Sequence, residues 1–96
     1  MRIRYTLPAA ADLEGVLEYL TLHSPQGARH VQARIKSVEK LLAQFPLAGS
    51  PTRLAWLRRL TTTPYPYLIF YEVTDEEVII HAVRHSARDP SSMPES

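Results

Sequence analysis

The feature that most constrains the fold is a regular row of apolar residues in the middle of the chain. From Ala28 onward, apolar side chains recur at alternating steps of three and four residues: Val31, Ile35, Val38, Leu42 and Phe45. This spacing puts them on one side of an α-helix of about five turns. Ser24 is suited to cap its start with Pro25 in the first position, and Pro46 ends it. Because the row occupies one side, the helix must pack against another layer.

A second helix and a short strand precede this row. Pro8 suits the first turn of a helix, and its apolar residues follow at helical spacing: Leu13, Val16, Leu17 and Leu20. The short break HSPQG between the two helices predicts an antiparallel helical hairpin. Ahead of Pro8, residues 1–6 alternate apolar and polar side chains, with Ile3 and Tyr5 on one side, which predicts a half-buried strand.

Beyond the loop PLAGSPT the period changes from helical to two. Alternation runs from Trp56 to Thr63, from Tyr67 to Val73 and from Val78 to Val83, where Val78, Ile80 and Ala82 share one side. Three such runs joined by short turns indicate an antiparallel meander. The order β-α-α-β-β-β predicts an α+β domain in which the helical hairpin covers one face of a four-stranded, antiparallel-type sheet. We assign residues 1–90 to this single domain and 91–96 to a flexible C-terminal tail.

This arrangement has a consequence for binding. The run from Tyr67 to Val73 is apolar on both of its sides, whereas a hairpin covers one face of a sheet. We therefore expect the other face to present Tyr side chains, or Leu and Phe side chains, to a partner protein. The alternative is that these tyrosines occupy half-exposed positions with their hydroxyls in water.

Composition excludes several classes of function. A chain of 96 residues has room for one small domain, and with no cysteine it has neither disulfides nor thiolate ligands. The four histidines follow no metal-ligand spacing and the three glycines form no phosphate-binding loop, so we expect no metal and no cofactor. No apolar run approaches the ~20 residues that cross a bilayer. Since the N-terminus lacks the apolar centre of a secretory signal, we expect a cytoplasmic protein without a membrane partner.

Basic side chains gather where the last predicted strand ends, at Arg84, His85 and Arg88. Such a group can bind phosphate and, with a suitable acid and base, cleave RNA. A structural alternative is that Arg88 and Asp89 tie the tail to the sheet and that His85 has a hydrogen-bonding role. The net charge of +1 argues against simple non-specific binding to nucleic acid.

The C-terminal half resembles a known family. The run YPYLIFYEV, an acidic turn and the run VIIHAVRHSARDP resemble RelE/ParE-type toxins of bacterial type II toxin–antitoxin systems. The segments AAADLEGVLEYL, SPQGARHVQARI and QFPLAG occur in the family's order, so the resemblance extends from about Ile3 to Pro90. The PYPYLIFYEV and HSARDP segments are closer to the ParE branch. Two positions depart from the family, since Ser50 and His81 stand where arginine is more usual.

The resemblance implies a cytoplasmic bacterial toxin that forms a hetero-oligomer with a cognate antitoxin. ParE-like members poison DNA gyrase without being enzymes, which is the reading we favour, and RelE-like members are ribosome-dependent mRNA endonucleases. A third possibility is an inactive relative that only binds its antitoxin. For contact with the target the resemblance suggests four residues: Arg59, Arg84, His85 and Arg88.

Two further residue sets complete these hypotheses. In a ribonuclease, Arg58 or Arg59 would clamp the scissile phosphate, Arg84 would stabilise the developing charge, and His85 would be the general acid, with Arg88 beside them. For antitoxin binding we expect the uncovered face of the sheet to contribute its large side chains: Trp56, Tyr67, Leu68, Phe70 and Tyr71.

Overall fold

The computed structural model describes residues 1–87 and 90–95. The elements are β1 (Arg2–Tyr5), α1 (Leu7–His23), α2 (Pro25–Gln44), β2 (Ser50–Pro51), β3 (Arg58–Thr61), β4 (Tyr67–Val73), β5 (Glu77–His85) and one 3-10 turn (Pro90–Ser92). The strands form one sheet in the order β1-β5-β4-β3-β2. Within it β1 runs parallel to β5, and the other neighbours are antiparallel.

This architecture confirms the predicted α+β class, with two helices packed on a mixed sheet. The two-residue strand β2 was not expected, because its sequence, Ser50–Pro51, is typical of a loop. Trp56 was expected to begin a strand, but it lies in the loop before β3. Within the described ranges, neither helix is both long and apolar enough to cross a membrane.

Side-chain caps define the helical hairpin. The Thr6 hydroxyl accepts a hydrogen bond from the Ala9 N–H at 3.1 Å at the start of α1. The Ser24 hydroxyl accepts one from the Gly27 N–H at 3.0 Å at the start of α2, while the Ser24 N–H donates to the Leu20 carbonyl at the end of α1. One serine therefore closes the first helix and opens the second, which fixes the antiparallel turn that the sequence predicted.

The main core lies between the hairpin and the face of the sheet that we call the inner face. Its buried side chains come from α1, α2, β4 and β5: Ala9, Val31, Ile35, Val38, Leu42, Tyr67, Ile69, Tyr71, Val78, Ile80 and Val83. The predicted row on α2 is confirmed except at its last member. Phe45 is the C-cap of α2 and is 61% exposed, because the backbone leaves the helical path there.

A β-bulge interrupts the alternation of β5. Phe70 lies opposite Ala82 and Tyr71 lies opposite Ile80, so His81 is an extra residue with no counterpart in β4. As a result Val83 joins the inner core and Ala82 faces the opposite side of the sheet, which we call the outer face. The expectation that Ala82 shares a side with Ile80 was wrong, since an uninterrupted period of two cannot anticipate an inserted residue.

The outer face is covered by the chain itself. Leu57, Phe70 and Ala82 are at most 2% exposed there, and three half-buried side chains pack against them: Leu54, Leu68 and Met93. Leu54 and Leu57 come from the loop between β2 and β3, and Met93 comes from the C-terminal segment, residues 90–95. The prediction of an uncovered apolar second face was therefore wrong, because a loop and a tail close it without a further helix.

Candidate functional site

The two neighbouring arginines of β3 point to opposite faces of the sheet. Arg58 lies on the inner side, where its Nε and Nη2 donate to the Gly49 carbonyl at 3.2 and 2.8 Å. Its Nη2 also donates to the Leu47 carbonyl at 3.2 Å. Arg58 thus satisfies backbone acceptors of the loop that leaves α2, and its guanidinium is engaged in holding that loop.

Tyr71 holds the same loop from the core. Its hydroxyl accepts a hydrogen bond from the Gly49 N–H at 2.8 Å and donates to the Pro46 carbonyl at 2.8 Å. Position 49 needs glycine, because a Cβ there would lie 2.6 Å from the Tyr71 hydroxyl oxygen and 2.8 Å from the Arg59 carbonyl oxygen. With its side chain fully buried in this role, Tyr71 has no surface to offer a partner.

Arg59 faces the outer side, where the C-terminal segment lies. Its Nη1 donates to Glu95 Oε1 at 2.9 Å, and the Arg59 side chain remains 42% exposed. Arg53 donates through Nε to the Glu95 backbone carbonyl. Glu95 therefore connects the C-terminal segment to both Arg59 and Arg53.

Arg84 starts from the outer face and turns around the free part of the β5 edge. It lies opposite Leu68, its Nη1 pairs with the Asp12 carboxylate on α1, and its Nε donates to the Ser92 carbonyl at 3.4 Å. Asp12 also accepts the Val83 N–H at 3.1 Å. Since β1 pairs with β5 only as far as Ile80, Asp12 takes the place of a strand neighbour beyond that point.

His85 lies on the inner side, at the mouth of a cleft between α1 and the sheet. Its ring meets that of Tyr67 edge-on, with centroids 5.5 Å apart, and its Nδ1 accepts the Ala87 N–H at 3.1 Å. Burial, and then the proximity of Tyr19, raise the pKa of the Tyr67 hydroxyl above its ordinary value. Arg88, predicted to complete this group, lies outside the described residues.

The residues proposed for a ribonuclease are therefore not brought together. Arg58 and His85 lie on the inner side, while Arg59 and Arg84 start from the outer face. By the register of the sheet, the Cα atoms of Arg59 and His85 are about 14 Å apart, two strands across and three residues along. The sequence placed Arg84 and His85 as neighbours, but alternation sends their side chains to opposite faces.

The proposed antitoxin-binding residues also divide. Tyr67 and Tyr71 belong to the inner core, and Phe70 is fully buried on the outer face, so the expectation that they form an open surface was wrong. Leu68 is half-buried. Trp56 is 51% exposed, and its ring meets the His81 ring edge-on at a centroid distance of 5.2 Å.

An open apolar groove lies elsewhere, along α1 and beside β1. Its lining combines apolar side chains with two glutamates, and includes Tyr5, Leu13, Glu14, Leu17, Glu18 and Leu22. Leu22 is 84% exposed, and among the described residues of α1 only Ala9 is fully buried. Leu13 and Leu17 of the predicted α1 stripe line this groove, but the stripe alone did not predict an open surface. The available signal was that Leu7, Tyr19 and Leu22 fall outside the stripe, so the helix is apolar on more than one side.

Tyr5 lines this groove from β1. Its hydroxyl donates to Glu39 Oε2 at 2.7 Å. Burial, and then the hydrogen bond and negative charge of Glu39, raise the pKa of Tyr5 far above its ordinary range. Tyr5 is therefore a neutral donor at physiological pH. On the same strand, the Arg4 Nε lies 3.1 Å from Glu77 Oε1, and this ion pair links β1 to β5.

On the outer face, His81 Nε2 lies 2.9 Å from Glu72 Oε1. Among residues 1–87 and 90–95, no three His, Asp or Glu side chains are grouped to hold a metal ion.

Comparison with known proteins places this geometry in context. Residues 3–90 match the family described as ParE toxin of type II toxin-antitoxin system, parDE. The chain is 37% identical over 87 residues to "Toxin RelE2" of Caulobacter vibrioides, covering 91% of this chain and 97% of that protein. It is 35% identical over 85 residues to "Putative toxin Y4kP" of Sinorhizobium fredii, covering 88% of each.

Two solved structures share the fold. A chain of the chromosomal ParDE system from P. aeruginosa superposes with a TM-score of 0.74 at 24% identity, covering 88% of this chain and 95% of that one. YafQ from E. coli superposes with a TM-score of 0.61 at 18% identity, covering 91% and 96%. At these identities the likeness concerns the arrangement of the helices and strands.

Proposed function

This chain belongs to the ParE toxin family of type II toxin–antitoxin systems, and on that premise we propose that it is a cytoplasmic toxin that poisons DNA gyrase until a cognate antitoxin neutralises it. The family implies an antitoxin partner. The choice of gyrase as target, the location and the residues that make each contact are our proposal.

The observation that carries the choice of target is the division of the basic residues between the two faces of the sheet. A ribonuclease needs a phosphate clamp and a general acid within hydrogen-bonding distance of one scissile bond. Here Arg58 is bound to backbone carbonyls, and Arg59 and His85 lie on opposite faces. This division favours a toxin that acts by binding its target.

The mRNA endonuclease remains the second candidate, and one observation favours it. His85 is exposed at the mouth of the cleft beside α1, so its ring is accessible to a substrate. A ribonuclease built on His85 would have to draw on Arg84, whose Nη1 pairs with Asp12 at the same cleft, because Arg59 lies on the outer face. An inactive relative would show neither activity.

We place the antitoxin in the groove along α1. An amphipathic helix laid there would bury Leu17 and Leu22 and bring basic side chains to Glu14 and Glu18. In the described part of the sheet, β1 is an edge strand, so its side away from β5 is open to an added strand. Trp56 and Leu68, the more accessible of the residues first proposed for this role, offer a secondary contact on the outer face.

Gyrase poisoning is tested with the purified toxin in two parallel assays. Added to gyrase with supercoiled plasmid, it should accumulate cleaved DNA complexes, and added to translating ribosomes it should leave mRNA intact. Arg59→Ala should weaken the gyrase effect, whereas Glu76→Gln, in the exposed turn before β5, should not. Cut mRNA with intact plasmid would reverse the assignment, and normal growth at confirmed expression would favour the inactive relative.

The antitoxin surface is tested with a matched pair of exposed leucines. Leu22→Glu places a charge in the groove, and Leu47→Glu makes the same change at a site that is 64% exposed beyond the end of α2. We expect Leu22→Glu to weaken antitoxin binding at least tenfold and Leu47→Glu to leave the affinity within about twofold. Equal losses for the two variants would move the antitoxin away from α1.

A further inference from the structure

The C-terminal segment, residues 90–95, lies on the outer face in the manner of a bound peptide. Met93 packs on the apolar cluster around Phe70 and Leu57. The Glu95 carboxylate pairs with Arg59, and the Glu95 carbonyl accepts from Arg53. Within one short segment, Met93 therefore covers an apolar floor, and Glu95 binds the two arginines at the edge of that floor, Arg59 and Arg53.

We propose that this segment occupies, within the chain itself, a site that binds an acidic peptide segment of a partner protein. The inference rests on the proposed function in taking that partner to be the toxin's protein target. In the structure as described, Arg59 donates to Glu95 and Arg84 donates to the Ser92 carbonyl. A partner segment that displaces residues 90–95 gains Arg59 and Arg53 together with the apolar floor, and also the Nε of Arg84, whose Nη1 stays paired with Asp12.

The chemistry of the site favours a peptide over nucleic acid. Its floor is apolar: Leu57, Phe70 and Ala82 are fully or almost fully buried there, and Leu54 of the loop between β2 and β3 packs against them together with Met93 of the segment. Phosphate chains need a continuous cationic track. Here the same face carries Glu72, paired with His81, so the positive charge is limited to a rim. An apolar side chain followed by a carboxylate, as in the segment itself, satisfies both features.

The contacts of the segment are of a kind that a partner can replace. Arg59 is 42% exposed, and ion pairs at that exposure contribute little to stability. The segment's short connection to β5 adds a high effective concentration at the site to these contacts. A partner with a larger contact area does not need that advantage and therefore displaces it.

The test uses a fluorescein-labelled peptide that copies residues 90–96 and the full-length toxin in three forms. The parent protein should bind it weakly, because its own segment competes. The double variant Met93→Ser/Glu95→Gln weakens that competition, and we expect it to bind the peptide about tenfold more tightly. Adding Arg59→Ala to the double variant should abolish the gain. Glu76→Gln, the same charge change in an exposed turn, should bind as the parent does.

Each outcome decides the proposal. Equal affinities of the parent and the double variant, or a gain that survives Arg59→Ala, would overturn it. A single-stranded oligonucleotide that binds the double variant more tightly than the peptide does would replace the peptide with nucleic acid. Glu95→Gln alone, which changes no apolar contact, should give a smaller gain of about threefold, so a folding defect in the double variant does not hide the result.

The peptide assay contains no gyrase, so its failure and the failure of the proposed target are separate results. If the site serves the target, the double variant should also poison gyrase at roughly tenfold lower concentration than the parent. A double variant that binds the peptide better but poisons gyrase less would mean that residues 90–95 contact the target directly, and it would overturn the displacement.

Discussion

The central side chains on the two faces of the sheet are equally buried, but they are covered in very different ways. Ile69 on the inner face and Phe70 on the outer face are both 0% exposed. The inner face lies under helices of 17 and 20 residues, whereas a loop and the C-terminal segment cover the outer face. A helix must unfold or move as a unit to uncover a side chain, whereas a short segment leaves its site by a local opening. Two side chains that are equally buried can therefore differ in how easily they become exposed to solvent.

The largest effect is expected when the same substitution, leucine to alanine, is made once in the covering of each face. Leu42 on α2 and Leu57 in the loop before β3 are each 0% exposed. We expect Leu42→Ala to lower the free energy of unfolding by about 4 kcal/mol and Leu57→Ala by about 2 kcal/mol, since the loop relaxes into the cavity more readily than a helix does. Urea unfolding measures both values, and equal losses would show that the two coverings are equally firm.

A smaller effect is expected at the junction of the inner core with the loop after α2. Tyr71→Phe removes the hydroxyl that pairs with the Gly49 N–H and the Pro46 carbonyl. Leaving these buried groups without a partner should cost about 2 kcal/mol of unfolding free energy. Tyr19→Phe, at an exposed ring on α1, is the control and should change it by less than about 0.5 kcal/mol.

The neighbouring arginines of β3 sharpen the comparison further, because one serves each face. Arg58→Ala frees the Gly49 and Leu47 carbonyls and should lower stability by about 1.5 kcal/mol. Arg59→Ala removes one exposed ion pair and should lower it by about 0.5 kcal/mol or less. Gyrase poisoning should respond in the reverse order. If Arg59→Ala lowered stability as much as Arg58→Ala, Arg59 would also have a structural role.

The smallest effect concerns alkaline pH. The folded state raises the pKa of Tyr5, so above the ordinary tyrosine pKa of about 10 the unfolded chain loses this proton and the folded chain keeps it. The stabilisation is complete below pH 10 and declines as pH rises, by about 1 kcal/mol at pH 11. Tyr67, whose pKa is also raised, contributes in the same direction.

Tyr5→Phe should therefore lose less stability than the parent between pH 9 and pH 11, as measured by urea unfolding at each pH. Tyr67 is present in both proteins and does not affect the difference. Identical losses would show that Tyr5 ionises equally in the folded and unfolded chains.

The parts of the fold that the sequence predicted are those in which a local period sets the structure. The apolar residues from Val31 to Leu42 recur with the period of an α-helix. The Ser24 cap involves only the N–H of Gly27, three residues later. The bulge at His81 was not predictable in this way, because it depends on how β5 registers against β4. The cover over Phe70 depends on where the distant residues Leu54 and Met93 come to lie.

The candidate site shows the same limit. Alternation along β3 was enough to send Arg58 and Arg59 to opposite faces. What each contacts, the Gly49 carbonyl or Glu95, is set by loops far away in sequence. The groove on α1 left a weak signal in Leu22, an apolar residue outside the predicted stripe, but a helix apolar on several sides is equally typical of a buried one.

The extra residue at position 81 decides which chemistry each side of the molecule displays. With a strictly paired β5, Arg84 would project toward the hairpin and His85 toward the C-terminal segment. The bulge exchanges them, so that Arg84 starts from the same face as Arg59 and the His85 imidazole lies beside Tyr67. A relative with the same residues around position 81 but no bulge would assign Arg84 and His85 to the opposite faces, although an alignment of the two sequences would show no difference there.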